Sequence, residues 1–143
     1  DEETQMSDLC DKTATELRSL IGRKDISPVE LVESCIERIE RTDKALNAVV
    51  TPTFDHARNE AARAEKAVLD GDDLGLLHGL PIGIKDLEAT SGILTTLGSQ
   101  LYANHVPEKD QGSVANIRAE GGIVIGKTNT LGAIRTSLSV LTI

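Results

Sequence analysis

Two short apolar runs with a helical pattern between them constrain the fold of this chain more than any other feature. The runs are PIGIK at 81–85 and GIVIG at 122–126, and each has the length of a strand rather than of a helix. Residues 110–120 show helical spacing and end at a pair of glycines. A strand, a crossover helix and a second strand are typical of neighbouring strands in one sheet, so the sequence predicts the α/β class.

Three further helices are predicted upstream, at residues 12–23, 28–43 and 53–69. The second has the clearest start, because Ser27 and Glu30 form a capping-box pattern and Pro28 occupies the first helical position. The inward positions of the third helix are mostly alanine, which predicts that this helix packs closely against its neighbours.

A third strand is predicted at 46–51, where LNAVVT is followed by Pro52. We expect it to join the strands at 81–85 and 122–126 in one mixed or parallel sheet, with helices around it. The whole chain, residues 1–143, is interpreted as a single α/β domain.

The core of this domain has few bulky side chains. Hydrophobic residues make up 39% of the 143 residues, yet Phe54 and Tyr102 are the sole aromatic residues and there is no Trp. Such a core must be built from closely packed Leu, Ile, Val and Ala, since little aromatic volume is present. We interpret this composition as the first indication of an incomplete domain.

The net charge of −8 argues against direct binding to nucleic acid or to an anionic membrane. No apolar run approaches the roughly 18 residues of a membrane span. The opening DEETQMSDLC lacks the basic and apolar regions of a signal peptide. A cytoplasmic protein is therefore expected, with residues 1–7 as an N-terminal extension.

The cysteines and histidines do not show a metal-binding pattern. Cys10 and Cys35 are far apart in the sequence and belong to no CxxC motif, and His56, His78 and His105 are scattered. We expect two reduced thiols at least partly buried, and no metal ligands.

Lys85 is the candidate chemical residue. Strand alternation places it with Gly83 on one face, and Ile82 and Ile84 on the other. From these residues alone, Lys85 either extends from the strand end into solvent or lies in a poorly solvated pocket, where the neutral amine can act as a base. The second interpretation requires Asp86 to point elsewhere, because a paired carboxylate would keep the proton on the amine.

Residues 121–128 match the phosphate-loop pattern GxxxxGK[ST] letter for letter. A phosphate loop needs a strand before its first glycine and a helix that begins at its Lys-Thr. Here the first glycine follows a predicted helix, and Ile-Val-Ile in the middle of the motif favours a strand. We therefore do not predict nucleotide binding.

The sequence resembles the N-terminal part of the amidase signature family. The resemblance extends from residue 8 to about 133 and rests on four stretches: SPVELVESCIERIERTDKALNAVV (27–50), LHGLPIGIKD (77–86), TTLGS (95–99) and GGIVIGKTNT (121–130). The second stretch is the most specific, and the resemblance implies that Lys85 is the catalytic base. It also implies that GKTN is a structural turn from strand to loop.

The resemblance implies hydrolysis of carbon–nitrogen amide bonds by a Ser–cis-Ser–Lys triad. The neutral lysine takes a proton relayed through one serine, a second serine attacks the carbonyl, and water releases the acyl group. The expected partner is a small-molecule amide, with homodimerisation of the complete enzyme left open. No metal and no organic cofactor is implied.

The chain departs from the family after Thr130. The resemblance requires a glycine-serine segment that carries both serines, and the 143 residues contain none. Ser137 and Ser139 lack surrounding glycines and are not expected to be triad members. Residues 131–143 are interpreted as an atypical tail, of the kind a truncation or frameshift produces. We therefore expect a partial domain that is inactive alone and leaves the strand at 122–126 partly uncovered.

Three functional hypotheses remain open at this point. The first is a part of a stand-alone amidase, which is preferred because no basic patch or partner-binding signal is present. The second is the A subunit of the glutamyl-tRNA amidotransferase, which frees ammonia from glutamine. The third is a non-catalytic remnant or binding fragment.

Overall fold

The computed structural model describes residues 9–130 as four helices and three strands. The elements are α1 (Ala14–Gly22), α2 (Pro28–Leu46), β1 (Val49–Pro52), α3 (Phe54–Asp70), β2 (Pro81–Lys85), α4 (Gly112–Ala119) and β3 (Ile123–Thr128). Short 3-10 helices lie at Leu9–Asp11 and Gln100–Tyr102. The extension at 1–7 and the tail at 131–143, with Ser137 and Ser139, lie outside the described residues.

The three strands form one mixed sheet in the order β1-β3-β2. β3 pairs antiparallel with β1 and parallel with β2. The parallel register runs from Pro81 opposite Ile123 to Lys85 opposite Thr128, with an irregularity between Ile82 and Gly83. The predicted α/β class and the single mixed sheet are confirmed.

Two predicted strand boundaries were wrong. The first strand begins at Val49 rather than at residue 46, because α2 continues to Leu46 and ends at Asn47 in a left-handed conformation (φ 50°). The last strand continues beyond residue 126 to Thr128, because its pairing with β2 continues to Lys85. The lysine of the GKTN stretch therefore lies within a strand, whereas the resemblance implied a turn.

The predicted start of α2 is confirmed in detail. The Glu30 amide donates to Ser27 Oγ at 3.0 Å, and the Ser27 amide donates to Glu30 Oε2 at 2.7 Å. This reciprocal pair satisfies two amides that the helix itself cannot bond. The apolar stripe of α2 and the alanine-rich face of α3 are buried together in one core: Leu31, Val32, Cys35, Ile36, Ile39, Ala57, Ala61, Ala64 and Val68.

The sheet separates two hydrophobic cores. On one face α1, α2 and α3 pack against Ile123 and Ile125 of β3. On the other face Val114 of α4 and Ile93 of the loop after β2 pack against Val124. The β2 residues on this second face are Ile82 and Ile84. Their common side confirms the predicted alternation, so Lys85 projects from the opposite side of β2.

The expectation that the strand at 122–126 would be partly uncovered was wrong. Every residue of β3 is buried, because β3 is the central strand and has packed residues over both of its faces. Exposed apolar side chains lie elsewhere, with Leu101 92% exposed on a 3-10 helix. None of the helices within residues 9–130 combines the length and the apolar composition needed to cross a bilayer.

The two cysteines lie close together despite their separation in sequence. Cys10 Sγ lies 3.4 Å from Cys35 Sγ, with Cys35 buried on α2 and Cys10 half-buried, and both are reduced thiols. We predict that mild oxidation with diamide joins them, because the sulfurs at 3.4 Å need only a small approach to reach the roughly 2.05 Å of a disulfide bond. Intact mass should fall by the mass of two hydrogens, and the Cys10→Ser variant should show no such loss. Oxidation to intermolecular dimers alone would contradict the prediction.

Candidate functional site

Lys85 is the last residue of β2, at the edge of the described sheet. Lys85 is half-buried, and its Cα pairs with that of Thr128 on β3. Within residues 9–130, the Lys85 amine has no hydrogen-bond acceptor and no carboxylate partner. The structure thus places an unpaired amine at the carboxyl end of a strand, where ligands bind in open α/β sheets.

Asp86 turns away from Lys85, as the sequence predicted for a lysine base. Its carboxylate is buried and accepts hydrogen bonds from the Thr96 amide, at 3.0 Å, and from the Thr96 hydroxyl. The Asp86 backbone is also fixed, because its amide donates to the Thr128 carbonyl and its carbonyl accepts from the Leu97 amide, each at 3.0 Å. Asp86 therefore ties the following loop to the end of the sheet.

Lys127 is a second lysine at the same end of the sheet, and it is fully buried. Its Nζ donates to the Glu88 carbonyl at 2.6 Å, and to the hydroxyls of Thr90 and Thr95 at 2.9 Å each. Its Cα pairs with that of Ile84, so it lies over the face opposite Lys85. The two lysines are thus neighbours in register but occupy different surroundings.

Burial lowers the pKa of the Lys127 amine to about 8, while the charges of Asp86, Glu88 and Asp110 act in the opposite direction. A buried charged amine loses its hydration, and the nearby carboxylates recover part of that loss. At pH 7 the amine still holds its proton for most of the time. Lys127 is thus a buried cation with all three of its N–H donors in use.

The lowered pKa of Lys127 predicts a pH-dependent stability. The unfolded chain holds this proton up to about pH 10.5, whereas the folded chain releases it near pH 8. Between these values the unfolded state binds more protons, so the free energy of unfolding should rise with pH by up to about 3 kcal/mol.

Urea unfolding of the chain and of its Lys127→Met variant at pH 7, 8, 9 and 10 measures this effect. The rise should appear as a difference between the two proteins, because all other groups titrate in both. Parallel pH curves for the two proteins would contradict the prediction.

The loop between β2 and α4 is held at several points near these lysines. Asp110 Oδ1 accepts from the Ser91 amide at 2.7 Å, and Glu88 Oε2 accepts from the Ser113 hydroxyl at 3.1 Å. Together with the bonds of Asp86 and Lys127, these contacts fix the stretch from 86 to 97. Thr95 and Thr96, the first two residues of TTLGS, therefore have structural roles: Thr95 accepts from Lys127, and Thr96 donates to Asp86.

The phosphate-loop interpretation of residues 121–128 is excluded by the fold. Gly121 follows α4, and the motif's Lys and Thr belong to β3 rather than to the start of a helix. The Lys127 amine, which would contact a phosphate in such a loop, is instead used by Glu88, Thr90 and Thr95. The element order that the sequence argument assumed, a helix before Gly121 and a strand at Ile-Val-Ile, is the one the structure shows.

The role of Lys127 was not predicted from the sequence. A usable signal was present, because a lysine within a buried run needs acceptors, and the loop at 90–99 is rich in small hydroxyl residues. Which hydroxyls meet the amine could not be read from the chain. Among residues 9–130, no three His, Cys, Asp or Glu side chains are grouped to hold a metal ion.

Comparisons with known proteins agree on one family. The sequence model of the Amidase family matches residues 30–135. The chain is 38% identical over 122 residues to the A subunit of the glutamyl-tRNA(Gln) amidotransferase from Geotalea daltonii, covering 85% of this chain and 25% of that protein. It is 40% identical over 118 residues to the corresponding protein from Streptococcus pneumoniae, covering 82% and 24%.

A solved structure shows the same fold. A bacterial aryl acylamidase of the amidase signature family matches with a TM-score of 0.81 and 34% identity, over 85% of this chain and 26% of that one. The chain thus spans about a quarter of the length of the relatives it matches. From the matched sequence and the shared architecture, we conclude that the chain belongs to the amidase signature family.

Proposed function

We propose that this chain carries the base of an amide hydrolase, and that Lys85 is that base. One observation carries the proposal: of the two lysines at the carboxyl end of the parallel strands, Lys85 alone has an amine without acceptors among residues 9–130. A base must offer a lone pair, so its nitrogen has to be free to lose its proton. Lys127, with three acceptors around its amine, is suited to remain charged.

In this proposal, the neutral Lys85 amine accepts a proton that a serine held by a cis peptide bond relays from a second serine. The second serine attacks the amide carbonyl, the proton taken up by Lys85 is returned through the relay to the leaving nitrogen as the amine departs, and water then hydrolyses the acyl-enzyme. Both serines come from sequence that these 143 residues do not contain. Asp86 supports the assignment, since its carboxylate is bound by Thr96 and does not hold a proton on Lys85.

The substrate of the proposed enzyme is a small-molecule amide. The net charge of −8 supports a protein that does not contact nucleic acid directly, and a cytoplasmic location is part of the proposal. No metal or organic cofactor is required by the proposed steps, since serines and a lysine supply the nucleophile, the relay and the base.

A second candidate is the A subunit of a glutamyl-tRNA(Gln) amidotransferase. The observation in its favour is the 38% and 40% identity to curated proteins of that name. The 34% identity to an aryl acylamidase supports the stand-alone amidase. The two candidates share the proposed role of Lys85 and differ in the amide that is cleaved.

The test uses a full-length aryl acylamidase in which residues 9–130 of this chain replace the matching segment. We call this protein the hybrid amidase. The expected result is hydrolysis of an aryl acylamide that depends on Lys85. The matched control is Lys109→Met, because Lys109 is an exposed lysine on the surface loop before α4.

Two further measurements separate the candidates. Release of ammonia from glutamine by the gene's full product, together with its partner subunits, would favour the amidotransferase. Cleavage of simple aryl or alkyl amides without partners would favour the stand-alone amidase. A folded hybrid amidase that hydrolyses no aryl acylamide would contradict the proposed role of Lys85 and favour a non-catalytic remnant.

A further inference from the structure

We propose that Lys127 is a positioning residue for Lys85: its buried ammonium fixes the turn that follows Lys85 and so holds the base in place. This inference rests on the proposed function of Lys85 as the base. Lys127 does not touch Lys85 itself, since the two side chains leave opposite faces of the sheet. Its action is transmitted through the backbone between residues 85 and 88.

The hydrogen-bond directions around Lys127 support a fixed ammonium. The Thr90 hydroxyl donates to the Glu88 carbonyl at 3.0 Å, and the Thr95 hydroxyl donates to the Ile93 carbonyl at 3.1 Å. Each hydroxyl has one hydrogen, so both oxygens must accept from Lys127. With the Glu88 carbonyl as the third acceptor, three acceptors surround three N–H donors.

The cluster is connected to Lys85 by a short path. The Glu88 amide donates to the Lys85 carbonyl at 2.9 Å, and the Glu88 carbonyl accepts from Lys127 Nζ at 2.6 Å. The turn after Lys85 is therefore closed at Glu88, and Glu88 is bonded to β3 through Lys127. A displacement of Glu88 would move the peptide from which the Lys85 side chain projects.

Water cannot readily replace the ammonium. Lys127, Thr90 and Thr95 each have 0% of their surface exposed, so loss of the amine leaves the buried hydroxyl oxygens of Thr90 and Thr95 without a donor. A buried polar group without a partner is costly, and the loop would shift to relieve it. β3 is the only strand that pairs with β2 within residues 9–130, so the carboxyl end of β2 depends strongly on these contacts.

Kinetics of the hybrid amidase test the proposal. In Lys127→Met, which keeps the side-chain length and removes the charge, kcat should fall about 10- to 100-fold, because a base displaced by about 1 Å is much less effective. KM should change less than about threefold, since the Lys127 amine is fully buried and bonded to protein groups. A lower melting temperature with unchanged kcat would show a merely structural role and overturn the proposal.

Two milder variants keep the test decisive if Lys127→Met does not fold. Thr90→Val and Thr95→Val each remove one acceptor while they preserve shape, and each should lower kcat about 3- to 10-fold. The Ser99→Ala variant is the control, because the Ser99 hydroxyl accepts from the Leu101 amide, away from the cluster. Unchanged kcat in both valine variants would overturn the proposal.

A readout without catalysis separates this inference from the proposed function. Acetylation of Lys85 by an amine-reactive ester, followed by mass spectrometry, reports the surroundings of this amine even in an inactive protein. Because a loosened turn would hold the Lys85 amine less firmly, Lys127→Met and the valine variants should accelerate acetylation of Lys85 several-fold, while Lys109 reacts at its original rate. Unchanged acetylation of Lys85 would contradict the positioning role. Full activity in Lys85→Met would contradict the proposed base role of Lys85, but not the inference that Lys127 holds the turn.

Discussion

Lys85→Met in the hybrid amidase is expected to lower kcat by about 10³-fold, because general-base catalysis and the nucleophile it activates are lost together. The folded structure should persist, since the Lys85 amine makes no hydrogen bond or ion pair within residues 9–130. The melting temperature should therefore stay close to that of the unmodified hybrid. Initial rates with an aryl acylamide, measured alongside Lys109→Met, give the comparison.

The Lys85→Arg variant sharpens this expectation. It retains the positive charge and the approximate length of the side chain, but a guanidinium does not lose its proton in proteins. If Lys85 acts as a base, Lys85→Arg should be as inactive as Lys85→Met. If Lys85 merely supplies positive charge, Lys85→Arg should keep much of the activity. Activity within tenfold of the unmodified hybrid would contradict the base role.

The 143-residue chain by itself is expected to hydrolyse no amide. Covalent catalysis needs an oriented nucleophile and amide donors at the developing oxyanion, and the sequence contains no glycine-serine segment to supply them. The contributions of such residues to the reaction rate are not additive, so a base without its nucleophile contributes little. Incubation with simple amides and with a serine-directed fluorophosphonate should give neither turnover nor stoichiometric labelling.

The control for this assay is the same chain with Lys85→Ala. Turnover or serine labelling that disappears in this variant would mean that the chain holds a complete triad. Ser137 and Ser139 would then be the first residues to test, each by a serine-to-alanine substitution. The pattern of labelling by mass spectrometry would identify the serine directly.

Local patterns were sufficient to predict most of the elements. The start of α2 was predictable because Ser27, Pro28 and Glu30 act within one helical turn. The strand at 81–85 was predictable because alternation is a property of adjacent residues. The start of β1 was missed because α2 continues to Leu46, and the end of β3 was missed because it depends on pairing with the distant strand β2, which no local pattern reports.

The sequence alone determined that Lys85 stands at a strand end with an adjacent carboxylate, and that the chain resembles one family. Only the tertiary structure decided how the two lysines differ. Lys127 meets acceptors that are 39, 37 and 32 positions away, and Asp86 meets Thr96 across a loop. Whether an amine is paired depends on which distant groups the fold brings to it, so this distinction follows from packing and not from the order of residues.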